Sequence, residues 1–111
     1  MSPTSRTISW LKKNGFETIQ IVEHWNPFGH RRVDLFGFVD ILAIHSGKTY
    51  GLQVTSRGNI SARVKKITVE NADTLSRLKE AGWIIQVIGW GKVSVKRGSK
   101  SKRWEPKVVD L

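Results

Sequence analysis

The sequence predicts a single α/β domain, residues 1–111, built on a mixed β-sheet covered on both faces, and three observations support this. A chain of 111 residues fits one domain. Two apolar segments, residues 38–44 and 49–55, flank a Ser46-Gly47 turn and predict a hairpin. A third apolar segment, residues 83–90, follows two amphipathic helices. A right-handed crossover would therefore place it parallel to the second hairpin strand.

The remaining elements follow from local signals. A first helix capped by Thr4 or Ser5 would end at Lys13, because Asn14-Gly15 provides a left-handed stop. Residues 18–25 alternate as a strand, and Asn26-Pro27 ends it before a basic bend over residues 28–33. Helices are expected over residues 60–67 and 71–81. Residues 92–111 predict a basic C-terminal β-hairpin that turns around residues 97–102.

One acid and one amide are unusual because the hairpin would place them in an apolar layer. An even-length loop centred between Ser46 and Gly47 places Asp40 opposite Gln53, with Thr55 on the same face. The opposite face would carry Val39, Ile41, Ala43, Tyr50, Leu52 and Val54. A buried acid or amide without a partner costs about 1–3 kcal/mol. The sequence therefore predicts that these polar groups bind something.

The charge balance indicates a polyanionic partner. The formal net charge is +10, and five Trp residues could stack on bases, so nucleic acid, DNA in the first place, is the expected partner. No membrane partner is expected, because no segment forms an amphipathic helix with clustered cations and none is long and apolar enough to span a bilayer. The candidate phosphate contacts are Arg31, Arg32, Arg57, Arg63, Lys65, Lys96, Arg97, Lys100, Lys102 and Arg103; the alternative is that they are ordinary solvated cations.

Several chemistries are excluded by composition and spacing. The chain has no Cys, so it has no thiolate metal site and no thiol nucleophile. The three His residues have no metal-ligand spacing, and residues 89–92 lack the pattern of a phosphate-binding loop. Residues 1–13 lack the apolar core of a secretory signal. The expected location is the cytoplasm of a bacterium or of a phage-infected host cell.

The order of helix, strand, hairpin with an embedded Asp, helical crossover and strand resembles the αβββαβ restriction-endonuclease-like core of the PD-(D/E)xK nuclease superfamily. Gly37-Phe38-Val39-Asp40 is similar to the Gly-x-x-Asp element of archaeal-type Holliday junction resolvases and VRR nuclease domains. Gln53-Val54-Thr55 falls where the family's Glu-x-Lys motif stands. Residues 32–67 look most like small phage and bacterial proteins that are Holliday junction resolvase-like.

The resemblance implies a metal-dependent endonuclease that hydrolyses phosphodiester bonds in DNA, including branched DNA. Asp40, the Gln53 side chain and the Val54 carbonyl would hold Mg²⁺ or Mn²⁺. Glu17 or Glu23 would replace the acid that these nucleases place before the hairpin, and Asp34 is a further candidate. The family also implies a homodimer, with Trp10, Trp25 or Trp90 in its interface.

Two departures from the family motif leave alternatives open. Gln53 keeps an oxygen ligand but removes a negative charge, and Thr55 removes the lysine that would stabilise developing charge. Lys66, or else Arg63 or Lys65, would have to supply a cation from the adjoining helix. The first alternative is a degenerate nuclease fold that only binds nucleic acid. The second makes Asp40 and Gln53 an internal hydrogen-bonded pair in a basic binding module.

Overall fold

A mixed β-sheet lies between helices in the computed structural model, which describes residues 1–98 and 100–111. The helices are α1 (Pro3–Lys13), α2 (Ile60–Lys65) and α3 (Ala72–Glu80); a 3₁₀ turn (Arg57–Asn59) precedes α2 and a π-helical turn (Lys66–Glu70) follows it. The strands are β1 (Thr18–Ile21), β2 (His24–Asn26), β3 (Arg31–Val33), β4 (Ile41–His45), β5 (Lys48–Ser56), β6 (Trp83–Ser94) and β7 (Lys102–Asp110).

The main sheet has the strand order β1-β4-β5-β6-β7, and β2 pairs with β3 in a separate two-stranded sheet, within the residues described. Strands β5 and β6 are parallel, and the other neighbours are antiparallel. Helices α2 and α3 form the connection between the two parallel strands, as a parallel pair requires. The prediction of one α/β domain with a mixed sheet is confirmed.

The β4–β5 hairpin has the predicted register. Ile44 pairs with Thr49, and Leu42 pairs with Gly51. Strand β4 begins only at Ile41, so Asp40 lies at its entrance. The sequence predicted that Val39 shares a face with Ile41, and this is wrong. Val39 packs in the apolar cluster on the opposite face of the sheet.

Two apolar clusters cover the two faces of the sheet. On the α2–α3 face the buried members are Phe38, Val39, Ile60, Ile67, Leu78, Ile85 and Val87. On the α1 face they are Leu11, Ile41, Ala43, Leu52, Ile88 and Trp90. Because β5 alternates, Leu52 enters the α1 cluster, and Gln53 and Thr55 point to the α2–α3 face. Gln53 and Thr55 therefore lie on the same face of the sheet as the π-helical turn, whose Ile67 packs in that cluster.

The alternating segment over residues 18–25 is not one strand, contrary to the prediction. It divides into β1 in the main sheet and β2 in the small sheet. The break occurs where the Val22 N–H donates to the Asp40 carbonyl at 2.9 Å, after which the chain leaves β4. Periodicity alone did not place this break, because Ile19, Ile21 and Trp25 keep the spacing of one strand face across it.

The ends of several elements also differ from the predictions. Ser2, not Thr4 or Ser5, caps α1, since its side chain accepts from the Ser5 N–H at 3.1 Å. The predicted helix over residues 60–67 starts earlier as a 3₁₀ turn and continues as a π-helical turn. Strand β6 extends to Ser94, beyond the predicted residue 90. The tail returns as β7, with Pro106 on the edge strand as expected; the predicted turn includes Ser99, which lies outside the described residues.

Two glycines let the start of the crossover lie directly on β6. A Cβ added at Gly89 would overlap the Cδ1 and Cγ1 atoms of Ile60 and lie 3.2 Å from the Arg57 Cα. A Cβ at Gly91 would lie 2.7 Å from the Arg57 Cδ. The absence of side chains at these two positions fixes how closely the 3₁₀ turn and α2 approach the sheet.

We expect Gly89→Ala to lower the free energy of unfolding by about 1–3 kcal/mol, because the added methyl group meets the Arg57 backbone and a buried Ile60. Gly58→Ala is the matched control, since its Cβ would meet no atom within 4 Å. Urea denaturation followed by circular dichroism measures both. Equal stability of the two variants would contradict the packing described here.

Candidate metal and nucleic-acid site

The Asp40 carboxylate is held at the entrance of β4 by two donors from β5. Its Oδ2 accepts from the Gln53 Nε2 at 2.6 Å and from the Val54 N–H at 2.8 Å. The Asp40 N–H in turn donates to the Leu52 carbonyl at 2.8 Å. The predicted neighbours Asp40 and Gln53 therefore meet, and both are almost fully buried, at 5% and 3% exposure.

The amide oxygen of Gln53 has no hydrogen-bond partner among the residues described, although it is buried. An unpartnered buried acceptor is costly unless a ligand or water satisfies it. Val54 directs its N–H towards Asp40, and a strand residue directs its N–H and C=O to the same side, so its carbonyl also faces the Asp40 side. Thr55, two residues after Gln53 on the same face of β5, is also buried, at 6% exposure.

A tight loop between β3 and β4 brings a second acid to Asp40. Leu35 and Val39 exchange two backbone hydrogen bonds, of 3.0 and 2.9 Å, and the turn between them uses positive φ at Phe36 (55°) and Gly37 (86°). The next residues outward from this bridge are Asp34 and Asp40. Loop closure therefore places the two carboxylates side by side.

A third acid comes from the chain segment that follows β1. The Val22 N–H binds the Asp40 carbonyl, so the next residue, Glu23, is delivered to the same edge. Carboxylate oxygens of Glu23, Asp34 and Asp40 all lie within 4.8 Å of one another. Glu23 therefore turns away from open water, and its side chain is only 17% exposed.

Crowding of the three acids changes the protonation of Asp40. The pKa of Asp40 is raised from its ordinary 3.8 to about 7: burial is the largest cause, the Val54 N–H acts in the opposite direction, and the Asp34 and Glu23 carboxylates contribute to the rise. At neutral pH the Asp40 carboxyl is therefore partly protonated. A bound cation could take the place of this proton.

Two cations at the rim partly balance the acids. The Lys66 Nζ lies 3.6 Å from the Asp34 Oδ2, and the Arg32 Nη1 lies 3.5 Å from the Glu23 Oε1. Lys66 is the first residue of the π-helical turn, a type of distortion that is frequent at functional sites. The cleft at this rim has a volume of about 240 Å³ and is lined by Arg31, Arg32, Val33, Asp34, Gly37 and Lys66.

The donor set fits a hard divalent cation. Glu23, Asp34 and Asp40 could hold a metal ion, and Gln53 offers an unpartnered amide oxygen from the same amide that binds Asp40. Carboxylate and amide oxygens are the ligands that Mg²⁺ and Mn²⁺ prefer, and the cluster contains no His or Cys that would favour zinc.

The other predicted residues are distributed over several surfaces. Glu17 is exposed and does not belong to the acid cluster, and Lys65 is exposed beside Lys66. Arg63 is half-buried on α2. Arg57 lies against β6 and is 4.0 Å from Glu105 in an ion pair, so it serves a structural contact. The basic residues of the tail lie on β7 and on the turn before it: Lys96, Arg97, Lys100, Lys102 and Arg103.

The tryptophans proposed for a dimer interface differ in accessibility. Trp90 is 6% exposed and donates from its Nε1 to the Thr7 Oγ1 at 2.8 Å, so it anchors α1 inside the fold. Trp10 is half-buried and meets Trp90 edge-to-face, with ring centroids 6.4 Å apart. Trp25 is 55% exposed and remains available to a partner.

Sequence reasoning underestimated Asp34. It named Asp34 only as a further candidate, because a charge six residues before Asp40 has no fixed distance from it. The available signal was Gly37, the one residue in this loop that tolerates a positive φ without strain. A glycine turn midway between two acids indicates a loop that folds them together.

We expect Asp40→Asn to stabilise the metal-free protein increasingly as the pH rises. Its amide oxygen can accept from Gln53 and Val54, and its NH₂ group faces the other acids. In the wild type the folded state binds more protons than the unfolded state between pH 3.8 and about 7, so wild-type stability falls through this window and then levels off. The variant lacks this loss.

The difference between the two free energies of unfolding should reach roughly 2–4 kcal/mol above neutral pH. Urea denaturation in EDTA at several pH values between 4 and 8 measures it. A difference that does not change with pH would contradict a raised pKa at Asp40.

Known proteins offer no match from which a function could be transferred, so a functional assignment depends on the site. No family model, no curated protein and no solved structure matches this chain. Within the part of the chain that the structure describes, no helix has the length and apolar character needed to cross a membrane.

Proposed function

We propose that this protein is a metal-dependent endonuclease of PD-(D/E)xK type that hydrolyses phosphodiester bonds in DNA. The observation that carries the proposal is the contact of Asp40 with Gln53 and Val54, together with the carboxylates of Glu23 and Asp34 within 4.8 Å. Asp40 and Gln53 occupy the positions of the Asp and Glu of the nuclease motif, and the two further acids restore the negative charge that the amide lacks. Folds alone do not assign functions, so the assignment depends on this site.

Each residue of the site has a defined role in the proposal. Asp40 and Asp34 would hold Mg²⁺ or Mn²⁺, with Glu23, the Gln53 amide oxygen and the Val54 carbonyl as the further oxygen donors. A divalent cation bound there would supply charge neutralisation and an acidic bound water. Lys66, 3.6 Å from Asp34, places a positive charge at the rim, which compensates for the threonine at position 55.

The cations around the site supply the nucleic-acid surface. Arg31, Arg32 and Lys66 line one cleft with Asp34. On the other side, β6 and β7 continue as a two-stranded ribbon past Ser56, the end of β5. This ribbon carries Lys92 and Lys102 on the α1 face, where Arg6 stacks 3.6 Å from the centroid of the Trp104 ring, and Arg103, which pairs with Glu105. The cations of the cleft suit a phosphate backbone that passes over the acids, and the ribbon cations suit its continuation beyond the sheet.

The second candidate is a catalytically degenerate nuclease fold that binds nucleic acid without cleaving it. It is favoured by the Gln53 and Thr55 departures, since one charge of the metal site and the motif lysine are missing. In the endonuclease proposal, Asp34 and Glu23 replace the negative charge that Gln53 lacks, and Lys66 replaces the motif lysine that is absent at Thr55. Cleavage assays distinguish the two functions.

We expect the wild type to cut DNA with Mg²⁺ or Mn²⁺ and to bind but not cut DNA in EDTA. Asp40→Asn should lower the cleavage rate at least about a thousandfold, because the metal loses its central ligand, and should leave duplex affinity within a few-fold. Four-way-junction, duplex and single-stranded DNA are compared by gel electrophoresis. Binding without metal-dependent cutting of any substrate would instead support the degenerate nuclease.

Lys66→Ala should lower the cleavage rate about a hundredfold at saturating Mg²⁺, the usual effect of removing one preorganised charge-stabilising group. Lys65→Ala is the matched control, since it removes the same charge from the neighbouring exposed position. Single-turnover kinetics separate this effect from changes in binding. Equal rates for the two variants would exclude Lys66 as the compensating cation.

A further inference from the structure

The hairpin formed by β2 and β3 presents one aromatic side chain almost completely to solvent. Phe28 is 95% exposed, more than any other large apolar residue that the structure describes. Its position is fixed, because the Asn26 Oδ1 accepts from the N–H groups of Phe28 and Gly29 at 3.0 and 3.2 Å and Pro27 restricts the backbone between them. The tip is thus a preformed apolar projection.

The charges around this tip indicate the chemistry of its partner. Residues 24–33 include Arg31, Arg32 and two His residues and contain no acid. Trp25 is 55% exposed and pairs directly with Arg32 across the hairpin. An aromatic projection surrounded by cations complements a polyanion with an apolar interior. The stacked bases of nucleic acid, flanked by phosphates, have that character, and apolar side chains inserted between base steps are a known mode of DNA binding.

The hairpin is joined directly to the acid cluster. Val33 precedes Asp34, and Arg32 reaches the Glu23 carboxylate at 3.5 Å. The cleft lined by Arg31, Arg32 and Lys66 lies at the junction between the hairpin and the acids. From Asp34 to Phe28 the chain runs through one short strand and the turn. At the rise of a strand this spans roughly 10–15 Å, or about three to four base steps of one DNA strand.

We propose that Phe28 is a wedge that enters a base step of DNA while Arg31 and Arg32 hold the flanking phosphates. This inference rests on the proposed DNA-cleaving function and adds its substrate preference. Separating stacked bases costs a few kcal/mol, and the cost is least where stacking is already broken. The wedge therefore selects branch points, bulges and mismatches over continuous duplex, and the cut falls about three to four nucleotides from the wedge.

The test measures base unstacking in EDTA, so that it does not depend on cleavage. A fluorescent adenine analogue is placed at the centre of a four-way junction, and its emission is followed as protein is added. The wild type and Phe28→Trp, which keeps an aromatic wedge, should raise the emission. Phe28→Ala should not, and its preference for junction over duplex should fall about tenfold or more, with duplex affinity changed less than about threefold.

Val69→Ala is the control for loss of an exposed apolar side chain. Val69 is 64% exposed but shares a shallow cleft with Glu70 and Asp73, a setting that does not suit DNA. It should behave as the wild type in both measurements.

The outcomes separate this inference from the proposed function. If the wild type binds and cuts DNA and Phe28→Ala keeps both the emission change and the junction preference, the wedge is overturned and the endonuclease stands. Phe28 would then serve a contact with another class of partner, a protein or a membrane surface. If the wild type binds none of the DNA substrates, both proposals fail.

Discussion

The structure depends on one polar contact inside an apolar layer, between the Asp40 carboxylate and two donors of β5. It joins the entrance of β4 to the end of β5 and fixes the site at the edge of the sheet. Without a cation this arrangement is expensive, because three acids converge and Asp40 retains a proton near neutral pH. A fold that keeps such a cluster gains from it only if something positive binds there.

Positive charge is distributed in two ways around this cluster. Lys66 and Arg32 contact individual acids at short range, which limits the repulsion within the site. Much of the remaining excess of the +10 net charge lies on α1, on the β2–β3 hairpin, on α2 and on the segment from β6 to β7. An acidic centre within a basic surface suits a ligand that is itself anionic and needs a metal between it and the protein.

The two projections on either side of the site have different construction. The ribbon extends from the main sheet, and its aromatic residue, Trp104, stacks against the Arg6 guanidinium and is 42% exposed. The β2–β3 hairpin is separate from the main sheet, and the aromatic residue at its tip, Phe28, is 95% exposed. This difference is why the proposed wedge is assigned to the hairpin and a contact along the ligand to the ribbon.

The sequence by itself determined that the sheet is mixed, the register of the β4–β5 hairpin and the meeting of Asp40 with Gln53, because these follow from a helical crossover, side-chain alternation and a short turn. Only the tertiary structure decided that Asp34 and Glu23 join Asp40 and that Lys66 reaches Asp34. Those contacts depend on a loop with two positive φ angles, a strand that leaves the sheet early and a π-helical turn. Such backbone irregularities reorient neighbouring side chains without changing the hydrophobic pattern from which sequence reasoning starts.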